Sequence, residues 1–174
     1  MRRWMKLVSG ALGLALVLSA ASVAQAQSNA ASINANATVL RPISIVGDND
    51  LGFGTVFPGL NKTVAISDPG AGHWSISGET GAEVDLTFAL PVNLVSGGNT
   101  LPIVFGAGTA GYNATDVVGG ATTFDPSAGA TTSLSGLNPG ELYVWIGGQV
   151  QPALNQPAGA YTETITLTID YTGN

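Results

Sequence analysis

Residues 159–171 read GAYTETITLTIDY, with Tyr161, Glu163, Ile165, Leu167, Ile169 and Tyr171 on one parity and Thr162, Thr164, Thr166, Thr168 and Asp170 on the other. A period of two is the signature of a half-buried strand, whereas a helix would scatter both sets around its axis. The β-branched threonines suit the solvent side of such a strand. The pattern predicts a long strand over 159–171 that closes the chain.

The same alternation recurs upstream. Ala31, Ile33, Ala35, Ala37 and Val39 alternate with Ser32, Asn34, Asn36 and Thr38, and the apolar parity resumes at Ile43 and Ile45 after Arg41-Pro42. Pro42 removes a ladder donor and so marks a bend, bulge or edge between two strand segments. Residues 47–50 (GDND) read as an acidic turn, followed by Leu51, Phe53 and Phe57 facing one way, then a short strand over Lys62–Ile66. After the turn at 68–72, Trp74 and Ile76 are expected in the core. In the next strand Val84, Leu86, Phe88 and Leu90 point inward, and Glu83, Asp85 and Thr87 outward. Short strands are expected around 101–105, 112–118 and 121–124. Leu142-Tyr143-Val144-Trp145-Ile146 is apolar on both parities, as befits a central strand covered on both faces. Eight to ten short strands punctuated by glycine and proline turns predict an all-β chain, an antiparallel β-sandwich in preference to a barrel.

The first residues change the picture of where the chain acts. MRRWMK, the apolar run LVSGALGLALVLSA and Ala24-Gln25-Ala26 follow in the order of a secretory signal peptide, assigned to 1–26, with Gln27 as the new N-terminus. Removal of 1–26 leaves Arg41 and Lys62 as the only Lys or Arg, against eleven carboxylates. That balance opposes binding to nucleic acid or anionic membranes. No later segment is long and apolar enough for a helical membrane span. The chain has no cysteine, so a disulfide, a thiol nucleophile and a thiolate metal site are all excluded.

Two groups of motifs resemble a family of secreted bacterial domains of unknown function, the DUF4402-like family, itself similar to spore-coat-U-like proteins and chaperone–usher pilus subunits. The first runs from Ala37-Thr38-Val39 through Pro42-Ile43-Ser44-Ile45 to Leu51-Gly52-Phe53-Gly54-Thr55-Val56 and Pro58-Gly59. The second comprises Tyr143-Val144-Trp145-Ile146-Gly147-Gly148 and Gly159-Ala160-Tyr161-Thr162 through Ile169-Asp170-Tyr171. The resemblance implies an immunoglobulin-like sandwich over 41–174 with an incomplete sheet edge, used as a non-enzymatic subunit of a surface fibre or coat. It implies self-association by strand exchange, with a periplasmic chaperone and an outer-membrane usher as partners during export to the cell surface.

Carried onto this chain, the donated strand falls within 27–40 and presents Ala31, Ile33, Ala35, Ala37 and Val39. The strand bordering the groove, beside which a chaperone would pair, presents Tyr161, Ile165, Leu167, Ile169 and Tyr171. The residues themselves leave a second arrangement open, in which 31–39 fold back as the first strand of their own domain. The absence of cysteine departs from the disulfide that pilus subunits often carry.

Candidate chemistry is sparse. His73 is the only histidine, and no G-x-S-x-G elbow accompanies it, so it is expected at a turn or strand surface. Asp48-Asn49-Asp50 supplies hard oxygen ligands but lacks the spacing of a calcium-binding loop, and is expected to be an Asx turn. Glu83 and Asp85 read as a solvated pair on one strand face. No catalytic, cofactor or metal residue is assigned. Tyr143 and Trp145, if they faced outward, would offer flat rings to a sugar, which makes a carbohydrate- or surface-ligand-binding module the alternative function.

Overall fold

The structure is a computed structural model describing residues 29–173. The described residues divide into two units, the first ending at Ala37 and the second beginning at Thr38. In the first unit, described residues 29–37 carry no assigned strand, nor do 38–43 at the start of the second.

Among the described residues there are twelve strands: β1 (Ser44–Asn49), β2 (Lys62–Val64), β3 (Gly72–Gly78), β4 (Glu83–Ala89), β5 (Asn93–Ser96), β6 (Asn99–Val104), β7 (Ala110–Asn113), β8 (Thr122–Phe124), β9 (Ala130–Ser133), β10 (Gly140–Ile146), β11 (Gly148–Val150) and β12 (Thr166–Tyr171). They pair antiparallel in three sheets, ordered β1-β3-β10-β7-β8, β2-β11-β6-β5 and β12-β4-β9. All-β architecture with antiparallel sheets is thus established.

The main core forms where the five-stranded and three-stranded sheets share one apolar cluster. Ile76 of β3 and Leu142 and Val144 of β10 meet Val84 and Leu86 of β4 and Leu167 of β12, with Leu134 beside them. Trp74, Phe88, Tyr112, Phe124, Ile169 and Tyr171 pack around this centre. The alternation in β4 and β12 supplies this face, while Thr87, Thr166, Thr168 and Asp170 are exposed. β10 is central in its sheet and fits the doubly apolar pattern of residues 142–146, with Leu142, Val144, Trp145 and Ile146 all buried.

A second, smaller cluster centres on Leu101, Ile103 and Val150, with Leu51, Phe53, Leu94, Phe105 and Tyr161 against it. The two clusters are linked by one continuous stretch, because β10 belongs to the first sheet and β11, one residue later, to the second. Gly147 is the joint: a Cβ there would collide with the carbonyl oxygen of Val64, so only glycine permits this approach.

Several expectations need correction. The closing strand is shorter than its pattern: only Thr166–Tyr171 is a strand, and Thr162 makes an isolated bridge to Val95. Tyr161 leaves the main core for the second cluster, its hydroxyl donating to the Pro157 carbonyl and accepting from Gln156 Nε2. Residues 47–49 are not a turn but the end of β1, bulged between Gly47 and Asn49. Phe57 does not share the side of Leu51 and Phe53: those two pack on the second cluster, whereas Phe57 is 64 % exposed. The threonine-rich stretch near 130 is β9, an unanticipated strand that pairs β4. Residues 1–26, expected to be a signal peptide, lie outside the described residues.

Leu142→Ala should lower unfolding stability by about 2–5 kcal/mol, the range for truncating a buried leucine. Leu154→Ala, at a site 89 % exposed, should stay within about 0.5 kcal/mol of the parent. Urea denaturation monitored by tryptophan fluorescence reads both, and equal costs at the two sites would contradict this placement of the core.

Candidate functional site: an open margin between two edge strands

The two sheets around the main core end differently on their two flanks. On one flank β8 passes to β9 through residues 125–129, so a tight connection spans from sheet to sheet. Asp125 Oδ1 accepts from the Ser127 N–H at 2.9 Å and Ser127 Oγ at 2.6 Å, and these bonds hold its carboxyl below the usual carboxylate range. Pro126 is fully buried within this connection. The flank is closed.

On the other flank the end strands are β1 and β12. β1 pairs only β3, and β12 pairs only β4, among the described strands. Residues directly opposite in a ladder share a face. Ile45 lies opposite Ile76 and Gly47 opposite Trp74, so Ile45 sits on the side of β1 that faces the core. Ile45 is nevertheless 40 % exposed, and every residue of β1 is exposed. In a completed two-sheet core that position is covered. Here the covering layer stops at β12, and β12 presents an unpaired backbone edge of the kind that folded proteins normally protect.

The two ends of this margin also differ. At the C-terminal end of β12, the Tyr171 hydroxyl donates to the Arg41 carbonyl at 2.7 Å and accepts the Glu79 N–H at 2.7 Å. The Arg41 N–H in turn donates to Glu79 Oε2 at 2.9 Å, and Ile43 packs on the main core. Gly78 makes room for this clamp, since a Cβ there would lie 2.5 Å from the Tyr171 hydroxyl and 2.7 Å from Leu134 Cδ1. At the other end the chain before β12 departs toward the second cluster and leaves a recess of about 950 Å3. It runs from Gly47 and Asn49 of β1 to Ile165, with Trp74, Leu101 and Tyr161 in its lining. The margin is thus pinned shut at Tyr171 and open at Ile165.

Of the residues assigned to the groove border, Leu167, Ile169 and Tyr171 lie on one strand and pack into the main core. Ile165 lines the recess, and Tyr161 packs in the second cluster and reaches the recess from there. The structure does not bring all five onto one strand. Among the assigned donor residues, Ala31, Ile33, Ala35, Ala37 and Val39 fall in strandless residues, and Val39 is 91 % exposed. The clamp from Tyr171 to Arg41 was invisible in the sequence, because it joins residues 130 positions apart and carries no local pattern.

The other concentration of polar chemistry lies around His73 on β3. Its Nδ1 is 3.3 Å from Asp48 Oδ2 and its Nε2 3.4 Å from Asp116 Oδ1, the latter without hydrogen-bond geometry. The ring stacks on Trp145 at 4.9 Å and lies parallel to Tyr143 at 6.1 Å. Burial first, and then the carboxylates of Glu141, Asp116 and Asp48, push the Tyr143 phenol above its ordinary value. Trp145 is only 8 % exposed, so it does not offer the open ring face that a sugar platform needs. What the cluster does is tie β1, through Asp48, to β3 and β10. Among the described residues no group of three or more His, Asp or Glu side chains is placed to hold a metal ion.

Residues 43–171 match the family described as "Domain of unknown function (DUF4402)". The chain belongs to this family. No curated protein matches the chain. The matched DUF4402 domain begins at Ile43 and ends at Tyr171, so it holds both edge strands and excludes the donor segment assigned to 27–40.

Tyr171→Phe in this DUF4402 domain should cost about 1–3 kcal/mol, because the Glu79 N–H and Arg41 carbonyl both lose a partner. Urea unfolding of the variant measures it, and a loss below about 0.5 kcal/mol would show that the clamp contributes nothing beyond an ordinary surface contact.

Proposed function

We propose that this DUF4402 protein is an exported, non-enzymatic structural subunit that assembles into a surface fibre or coat by accepting a strand from another copy of itself. The carrying observation is that Ile45 is exposed on the core side of β1 across from the unpaired edge of β12. On this reading the domain is an immunoglobulin-like sandwich lacking one strand. Residues 31–39 of a neighbour fill the margin, pairing with β12 and laying alternate side chains over the cores. During export a periplasmic chaperone covers the same edge, and an usher passes the subunit outward.

The energetics suit an exchange more than a permanent closure. Ile33 and Val39 each contribute about 1.5–3 kcal/mol if fully buried, while Ala35 and Ala37 add little area. New backbone hydrogen bonds add about 0.5–1.5 kcal/mol each, against the entropy of ordering a strandless segment. The absence of any strand in 29–43 supports donation over a first strand folded back in place. The carbohydrate-binding alternative loses its platform with the burial of Trp145.

The test is assembly of the chain that begins at Gln27. It should form oligomers, and Ile33→Asp combined with Val39→Asp should leave it monomeric by size-exclusion chromatography. That variant should still bind an added peptide of residues 29–40. Equal oligomerisation of parent and variant, or a variant that ignores the peptide, would contradict strand donation.

A further inference from the structure

Two groups of large apolar side chains stand exposed outside the lining of the recess. In the first, Phe57, Leu60 and Leu154 are 64 %, 63 % and 89 % exposed. They are gathered because the Gly59 N–H donates to the carbonyls of Pro152 and Ala153 at 3.2 and 3.1 Å. Leu154 Cδ2 lies 2.6 Å from where a Cβ on Gly59 would stand, and Gly59 itself has a φ of 74°, the left-handed region that favours glycine. In the second, Leu137 is 73 % exposed and Leu40 40 % exposed. Both are held at the turn after β3: Thr80 Oγ1 donates to the Leu137 carbonyl at 3.2 Å, and Glu79 accepts from the Arg41 N–H.

These groups cap opposite ends of one stretch of chain. Leu137 precedes β10, and Leu154 follows β11. Isolated exposed apolar residues are normal, whereas exposed apolar residues grouped into a patch mark contact surfaces. We infer that the Phe57–Leu60–Leu154 end of one subunit packs on the Leu40–Leu137 end of the next copy of the same chain. The bodies of successive subunits, and not the donated strand alone, then hold the assembly. This rests on the strand-donation reading above.

Three observations select a second copy as the occupant. The Tyr171–Arg41 clamp closes one end of the margin, so a strand lying along β12 has its way out at the Ile165 end. There Val56, Pro58 and Pro152 line the recess, immediately beside Phe57 and Leu154 in the chain. The body that follows a donated strand is joined to it through Leu40 and Arg41, which brings its Leu40–Leu137 end to this place. Charge agrees with the pairing. Among the described residues the only Lys or Arg side chains are Arg41 and Lys62, one beside each apolar group. Lys62 stands two residues from Leu60, and Glu79 and Glu141 stand at the opposite end. Two different faces meeting head to tail give an open chain of subunits, whereas one face meeting itself would stop at a dimer.

The experiment separates this contact from strand donation. The chain from Gln27 carrying Phe57→Ser and Leu154→Asp should require a roughly tenfold or higher protein concentration to assemble, read by sedimentation velocity. Leu137→Asp, at the other end, should produce the same loss. Combining all three changes should add less than the sum of the two effects, since both act on one contact. To isolate the groove, the same changes are placed in the Ile33→Asp, Val39→Asp chain and the peptide of residues 29–40 is titrated in. Its affinity should stay within about twofold of the unaltered groove. Unchanged assembly with intact peptide binding would overturn the body-to-body contact and leave strand donation standing. Failure of the peptide to bind even the unaltered groove would remove both.

Discussion

The main apolar cluster between the five-stranded and three-stranded sheets is the constraint on which the rest of the molecule depends. It is sealed by a buried proline and a tight connection where β8 passes to β9, and it is left uncovered where β1 faces the edge of β12. A core with one open side stabilises the domain while leaving apolar surface exposed and a strand edge unpaired. The structure manages the opening instead of removing it. Tyr171 pins one end through Arg41 and Glu79, and the His73 cluster ties the exposed β1 back to β3 and β10 through Asp48.

Gly147 has a related role. It lets a single stretch of chain serve two sheets, so β10 contributes to the main cluster and β11 to the small one around Leu101 and Val150. The recess between them exists because the chain before β12 turns toward the second cluster, where Tyr161 docks, instead of extending β12 backward. The domain therefore has an open margin with a defined floor and two chemically distinct ends.

Much of the fold was legible in the sequence where one face of a strand meets a core and the other meets water. Val84, Leu86 and Leu167 announced themselves by period two, and residues 142–146 by being apolar on both parities. Periodicity was blind to partners. The alternation of Tyr161 to Ile165 continues that of Leu167 to Tyr171, yet Tyr161 packs in the second cluster and Ile165 lines the recess, so the closing strand came out shorter than its pattern. The acidic run at 47–49 reads as a turn because turns favour Asp and Asn, but the ladder to β3 holds it in a strand with a bulge. Phe57 shows the complementary failure: its spacing put it on one side with Leu51 and Phe53, but those two pack on the second cluster and Phe57 stands in solvent. The open margin itself depends on strand order, which no local pattern carries.

Amide hydrogen exchange tests the central claim most directly, because β9 is also an end strand of the same sheet but lies on the closed flank. Measured on the chain from Gln27 with Ile33→Asp and Val39→Asp, with and without the peptide of residues 29–40, exchange should slow along β12 and stay unchanged along β9. Equal protection of the two strands, or none along β12, would contradict an open margin completed by a donated strand.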